Sequence, residues 1–504
     1  MYLLLLFTPD AYAAYGGAVS VNFGVSAGLQ QLSVSFASVA LHNNVFANCI
    51  VTVSVFGGNS YGGAVSLHIG AYSSVHSQTA GSGDAVAAVG DTVVRNLSVS
   101  LDTARFESCE AIRERNGSTS FGANVYGGSF SFHVGSYAWS KSETSGRRSK
   151  STCGSTNASG ISVRFQNILS FNARASTKTS KTARSYGANS YGGSMSLMHV
   201  GAYSWSWSNA ASSNSTCGAT AANEVSVHVS GSACSNCSAL STTSGGGSYG
   251  ANSYGGSMSL MHVGAYSWSR GNDVYSNSSS TCEATAANEV SVHVSDSACS
   301  NCSASNTKSG GGSYGANSYG GSLSMMHVGA YSWSRSYSAS SNSMCEATAA
   351  NEVSVHVSGS ACFNCSALST TSDGSKSDGA NSYGGSMSMM HVGAYSWSLG
   401  AATGSSFSTC GATAANEVSV HVSDSACSNC SASNTKSGGV SYGANSYGGA
   451  ISAALFGAYS YSFLIGSFGQ SSRARVDITN VSRLTMTIKD AAFFDVQSFS
   501  GEMH

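Results

Sequence analysis

Residues 185–206 read "SYGANSYGGSMSLMHVGAYSWS", and nearly the same string returns at 248–269, 313–334 and 377–398. Its marker, Tyr-Gly-Gly, also occurs further out in both directions, beginning at residues 15, 61, 126, 191, 254, 319, 383 and 447. The first interval is 46 residues and the rest are 63 to 65. A second block, "NEVSVHVSGSACSNCSA" at 223–239, recurs at 288–304, 351–367 and 416–432, with diverged copies at 97–111 and 484–498. A fixed period of this size is the signature of a repeat architecture. It runs through residues 1–504 as one array, with no linker between units.

Both blocks read as β-strand. Val225, Val227 and Val229 alternate with Ser226 and His228, and Phe130, Phe132 and Val134 alternate with Ser131 and His133. This period of two places one set of side chains inside and the other outside. Gly-Gly pairs bound the runs as turns: Gly192 and Gly193, Gly255 and Gly256, Gly320 and Gly321, Gly384 and Gly385. Six residues separate Gly63 from Gly70 and Gly128 from Gly135, but seven separate Gly193 from Gly201. An extra residue reverses every following side chain unless a bulge absorbs it. The spacing therefore predicts a bulge near Leu197-Met198 and in each later copy.

Composition allows a packed core with little charge. The chain has 59 glycines, one proline, 41% apolar and 9% charged residues, against about 25% charged in ordinary soluble domains. A net charge of −1 gives no basic face for a nucleic acid. The N-terminal "MYLLLLFTPDAYAAYGG" has the apolar run and small-x-small site of a degenerate secretion signal over 1–14 but no basic start, and a truncated coil is the alternative because Tyr15-Gly16-Gly17 already belongs to the repeat. The uncharged run 450–468 aligns with the serine-alternating repeat, so it is read as strand and no membrane span is expected. Asn-x-Ser/Thr sequons stand at Asn96, Asn116, Asn157, Asn214, Asn277 and Asn480.

Tyr-Gly-Gly-Ala-Val at 61–65, preceded by Phe46-Ala47-Asn48-Cys49, resembles the paired Gly-Gly-Ala-Ile and Phe-x-x-Asn motifs of the polymorphic outer-membrane proteins of chlamydiae. Phe106-Glu107-Ser108-Cys109 and Phe493-Phe494-Asp495-Val496 are further variants. The resemblance implies a right-handed parallel β-helix, an autotransporter-passenger-like solenoid displayed on the cell surface with adhesin roles. On residue counts, each ~64-residue unit would hold two to three coils. With coils about 4.8 Å apart, that predicts a rod of roughly 70–110 Å. The variable segment around 206–215 is expected to project as a loop. A β-propeller is the alternative fold.

Four units carry Cys-x16-Cys-x2-Cys, as at Cys217, Cys234 and Cys237. Three thiolates with His228 would make a zinc set. The Cys234 position, however, is held by Phe46, Phe106, Phe493 and Ser170 in other copies, which is the behaviour of a core position. No metal or other cofactor is expected. Cys217 with Cys237, Cys282 with Cys302, Cys345 with Cys365 and Cys410 with Cys430 are candidate disulfides, the pairing being left open. His68, His133, His199, His262, His327 and His391 form one row and His228, His293, His356 and His421 another, read as polar outer ladders with rungs too distant to share an ion. Tyr203 and Trp205 and their copies are read as core or coil-edge packing, or as a ring-stacking platform for glycans.

Catalysis has little to build on. Glu224, Glu289, Glu352 and Glu417 recur singly, one per unit, whereas glycoside cleavage needs paired acids. The reading is a non-catalytic, extracellular or cell-surface structural protein whose partners are cell-surface glycans or matrix proteins. The alternative is a carbohydrate-active β-helix enzyme.

Overall fold

The computed structural model describes residues 13–503 except 16–18, 27–31, 54–58, 80–82, 117–123, 182–188, 246–247, 250–251, 273–276, 310–312, 315–316, 339, 373–375, 379–380, 403–405, 438–439, 443–444, 467–471 and 478. The N-terminal apolar run therefore lies outside the described residues. Every strand pairing is parallel, and each strand pairs with its own copy one repeat away. Val225 lies beside Val290, Val290 beside Val353, and Val353 beside Val418. The fold is a parallel β-helix, and no propeller blades form.

This register corrects the expected coil count. One repeat makes one coil, not two or three, because residues about 64 apart are direct neighbours across a ladder. Eight coils at about 4.8 Å give a stack of about 40 Å, not 70–110 Å. The 46-residue first unit is a reduced coil. It joins Ser26 to Leu32 where the second coil runs from Tyr72 to Thr92.

A single coil is clearest at residues 190–245. The short strand Ser190–Tyr191 enters a Gly-Gly turn, and the long strand Met195–Asn209 follows. The chain then reverses into Ser212–Cys217 and crosses along Thr220–Ser230. It turns two corners through Ala233–Ser235 and leaves by Ser238–Gly245. The turn glycines are required at two kinds of position. Gly192 has φ +59°, and a Cβ there would lie 1.8 Å from the Met195 carbonyl oxygen. A Cβ on Gly193 would lie 2.0 Å from the Gly256 carbonyl oxygen of the next coil. Gly255 and Gly256, Gly320 and Gly321, Gly384 and Gly385 repeat both constraints.

Two cores fill the coil. In the first, Met195, Leu197 and Val200 of the long strand face Val225, Val227 and Val229. The predicted bulge is present. Leu197 pairs with Phe132 and His199 with His133, leaving Met198 as the extra residue, so Val200 returns to the interior. In the second core the expected sidedness inverts. Ser204, Ser206 and Ser208 point inward and are buried against Ser213 and Ser215, while Tyr203, Trp205 and Trp207 point outward.

The segment 206–215 is thus a strand arch rather than a projecting loop. Its two arms are zipped by small side chains, as tightly interdigitated sheets are. Ser206 Oγ and Ser215 Oγ are 2.6 Å apart. Ser206 Oγ also donates to the Ser151 carbonyl of the preceding coil at 3.0 Å, and Ser269, Ser334 and Ser398 repeat this bond at 2.9, 2.8 and 2.9 Å. Such partners offset the cost of burying a hydroxyl, although the Oγ atoms of Ser204, Ser208 and Ser213 in the same arch have none among the described residues. Among the described residues there is no helix long and apolar enough to cross a membrane, and the run 450–468 contains the strands Ile451–Ala453 and Phe456–Gly466.

Candidate functional site: stacked columns of cysteine, histidine and aromatic rings

Because each coil repeats the last in register, every chemically distinctive residue is part of a column. The cysteines fall into two. At the corner after Thr220–Ser230 the chain bends sharply through Asn236, whose φ is +55°. The bend turns the side chains of Cys234 and Cys237 to the same inner side, with Cα atoms 6.2 Å apart, and they form a disulfide. Cys299–Cys302 and Cys427–Cys430 do the same, while Cys362 and Cys365 are free thiols.

The candidate pairs Cys217–Cys237, Cys282–Cys302, Cys345–Cys365 and Cys410–Cys430 are not formed. Cys217, Cys282, Cys345 and Cys410 end the returning arm of the arch and stack on one another, with Cys153 beyond Cys217, in a buried cluster separate from the Cys-x-x-Cys corner. Each thiol donates to a main-chain carbonyl of the following coil: Cys217 to Trp268, Cys282 to Trp333 and Cys345 to Trp397, at 2.9, 3.0 and 3.1 Å. Burial pushes the Cys217 and Cys345 thiols well up. Val89 and Val476 hold this position in other coils, so the column behaves as small apolar packing. At the corner the free pair differs. The hydrogen bond from Cys365, assisted by Ser386 and Ser322, draws the Cys362 thiol down to about 7 against the effect of burial.

Asparagine holds the corners in register. Asn236 Nδ2 donates to Asn172 Oδ1 at 2.8 Å, Asn364 to Asn301 at 2.8 Å and Asn429 to Asn364 at 3.1 Å. A second ladder joins Asn223, Asn288, Asn351 and Asn416 at 2.7 to 2.8 Å. Its neighbours Glu224, Glu289, Glu352 and Glu417 are exposed and sit at the bend itself, with φ of +51° to +54°. Arg483 pairs with Glu417. Four successive coils thus contribute one carboxylate each at this bend, the last of them paired with arginine.

The row His68, His133, His199, His262, His327 and His391 is not an outer ladder. Its rings stack at 4.4 to 4.9 Å, except that His133 meets His199 edge-on at 5.2 Å, and they sit in a buried to half-buried layer with two tyrosine columns. His262 meets Tyr266 at 4.1 Å, and the Tyr191 and Tyr254 rings stack at 4.8 Å. The rungs are close neighbours, contrary to the spacing inferred from two coils per unit. Desolvation by burial favours the neutral imidazole. It holds His68 at about 4, His199 at about 3 and His391 at about 4, with neighbouring histidines adding to the effect at His199. His228, His293, His356 and His421 do form an outer row, as the alternation predicts.

Tyr137, Tyr203, Tyr266, Tyr331 and Tyr395 stack at 4.8 to 5.0 Å. Trp139, Trp205, Trp268, Trp333 and Trp397 stack beside them at 4.8 to 5.2 Å and within 6° of parallel. These half-buried columns pack ring against ring from one coil to the next, which is coil-edge packing. Comparison with protein-family models, curated proteins and solved structures returned no match.

Proposed function

We propose that this chain is a non-catalytic structural protein, displayed outside the cell as an adhesin-like scaffold. One observation carries the reading. Each repeat spends its distinctive side chains on its own copies: asparagine on asparagine, tryptophan on tryptophan, histidine on histidine. That arrangement invests chemistry in regularity and stiffness rather than in a unique reacting centre. The corner disulfides support an oxidising compartment, where such bonds persist. The sequon residues Asn96, Asn214 and Asn480 are exposed, as glycan acceptors must be.

The test is surface labelling of intact cells with an antibody to the array, paired with endoglycosidase treatment of the native protein. The expected result is labelling without permeabilisation and a mass shift that maps to one or more of these three asparagines. Labelling only after permeabilisation, with no glycan at any of them, would overturn the reading.

A further inference from the structure

We propose that the Cys-x-x-Cys column, once reduced, is a soft-metal site that holds monovalent copper between successive coils. Two groups of sulfurs carry this inference. The Sγ atoms of Cys234, Cys237 and Cys302 lie within 4.8 Å of one another, and so do those of Cys299, Cys302 and Cys365. All five residues are buried. Each triad takes both cysteines of one coil and the second cysteine of the next. No single repeat contains the site, and it exists only because a coil is one repeat long.

The donor set selects the ion. Thiolates favour Cu(I) and zinc among common metals, but structural zinc takes four ligands. Among the described residues no histidine, carboxylate or further thiol joins either triad. Three soft donors without a fourth suit trigonal Cu(I). Cys302 belongs to both triads, so a single thiolate can bridge two ions. Bridging lowers the negative charge buried per metal, which matters because unpaired buried charge is costly. A cavity of about 50 Å³, lined by Cys234 and Cys362 with Ser194, Ser257, Ser322 and Ser386, runs beside the column. That is ample for a small ion to approach.

The same sulfurs close the site when oxidised, since Cys234–Cys237 and Cys299–Cys302 are disulfides. A phosphine reductant opens it. Each disulfide takes up two electrons and two protons, and the phosphine leaves as its oxide with oxygen from water. Metal loading then forms the copper–sulfur bonds and releases the protons of the five thiols to solvent. In the oxidising compartment proposed above these disulfides keep the site closed, so loading requires a reductant.

The experiment is an anaerobic titration of the full chain with Cu(I), in competition with a chromophoric Cu(I) chelator, before and after phosphine reduction. Copper–thiolate luminescence supplies a second signal. Reduced protein is expected to take up ions that the oxidised protein does not. Cys302→Ser should lower the uptake by about two ions, because it removes the shared donor. Cys234→Ser should lower it by about one, and this variant is safe to fold because Ser170 already occupies the position in the adjacent coil. Cys282→Ser, in the other column, should change neither number. The proposal is overturned if reduced protein fails to compete for Cu(I). It is equally overturned if uptake survives both Cys302→Ser and Cys234→Ser, or is lost with Cys282→Ser instead.

Discussion

The indole of Trp268 lies 4.8 Å from that of Trp333 and within 2° of parallel, although a whole repeat of chain separates them. That spacing is the distance between hydrogen-bonded strands. It makes the repeat and the coil the same object.

Removing one repeat should therefore remove one coil and nothing else. Deletion of residues 254–318 joins Ser253 to Tyr319, whose partners Ser318 and Tyr254 held the same places in the register. Small-angle scattering should show the axial length falling by about 4.8 Å from about 40 Å, with cooperative unfolding retained. Loss of cooperative unfolding would show that the coils are not interchangeable.

Glycine at the kink of the long strand is set by the neighbouring backbone. Gly264 has φ +117°, and a Cβ there would lie 2.3 Å from the Gly329 carbonyl oxygen. Gly264→Ala is expected to cost about 3 kcal/mol or more, through strain and forced separation of two coils. Gly83→Ala, where nothing lies within 4 Å, should change stability by less than about 1 kcal/mol. Denaturant melts of the two variants give the comparison, and equal midpoints would contradict the described spacing.

The serine core predicts an unusual intolerance of apolar residues. Ser269 is fully buried and donates to the Ser215 carbonyl at 2.9 Å. Ser269→Val both overpacks the arch and leaves that carbonyl without its hydroxyl donor, so it should destabilise by about 2–4 kcal/mol. Ser354→Val, on the half-buried outer side of the valine strand, should stay within about 0.5 kcal/mol. Thermal melts that rank the two the other way would restore an outward-facing serine row.

Acid should loosen the histidine layer. Burial lowers the folded-state values of His68, His199 and His391 to about 4, 3 and 4 from an ordinary 6.5. Between those limits the unfolded chain binds more protons than the folded one. Their contribution is therefore complete above pH 6.5 and lost as pH falls towards 4 and then 3. A shift of this size amounts to roughly 3 kcal/mol per ring. His199→Asn, which copies Asn22 of the first coil, should flatten the profile. A wild-type profile already flat from pH 6.5 to 4 would mean that the row is solvated.

Strand character and the bulge at Met198 are legible because a period of two and an added residue leave visible marks, whereas the one-repeat register is not. Neither is the sidedness of the arch. In "AYSWS"-type alternation, burial of the larger residue is the ordinary expectation, yet only a side chain as small as serine, or the alanine at Ala138, lets Met195–Asn209 and Ser212–Cys217 close on each other. Once serine is inside, Trp205 finds cover against Trp268 rather than in a core. Coil length was misjudged because the arch, absent from the first unit, adds chain without adding a turn. The disulfide choice depended on the left-handed bend at Asn236, which no spacing of cysteines reveals.

Asn288 hydrogen-bonds with Asn223 on one side and Asn351 on the other. Any change to it is judged twice, by an older and a younger copy of itself. A variant that suits neither neighbour is penalised at both surfaces, whereas one shared by all three is not. Drift in a single unit is thereby resisted, and wholesale copying of a unit by gene duplication or conversion is favoured. The near-identity of the repeats at 185–206, 248–269, 313–334 and 377–398 is the sequence counterpart of like stacking on like.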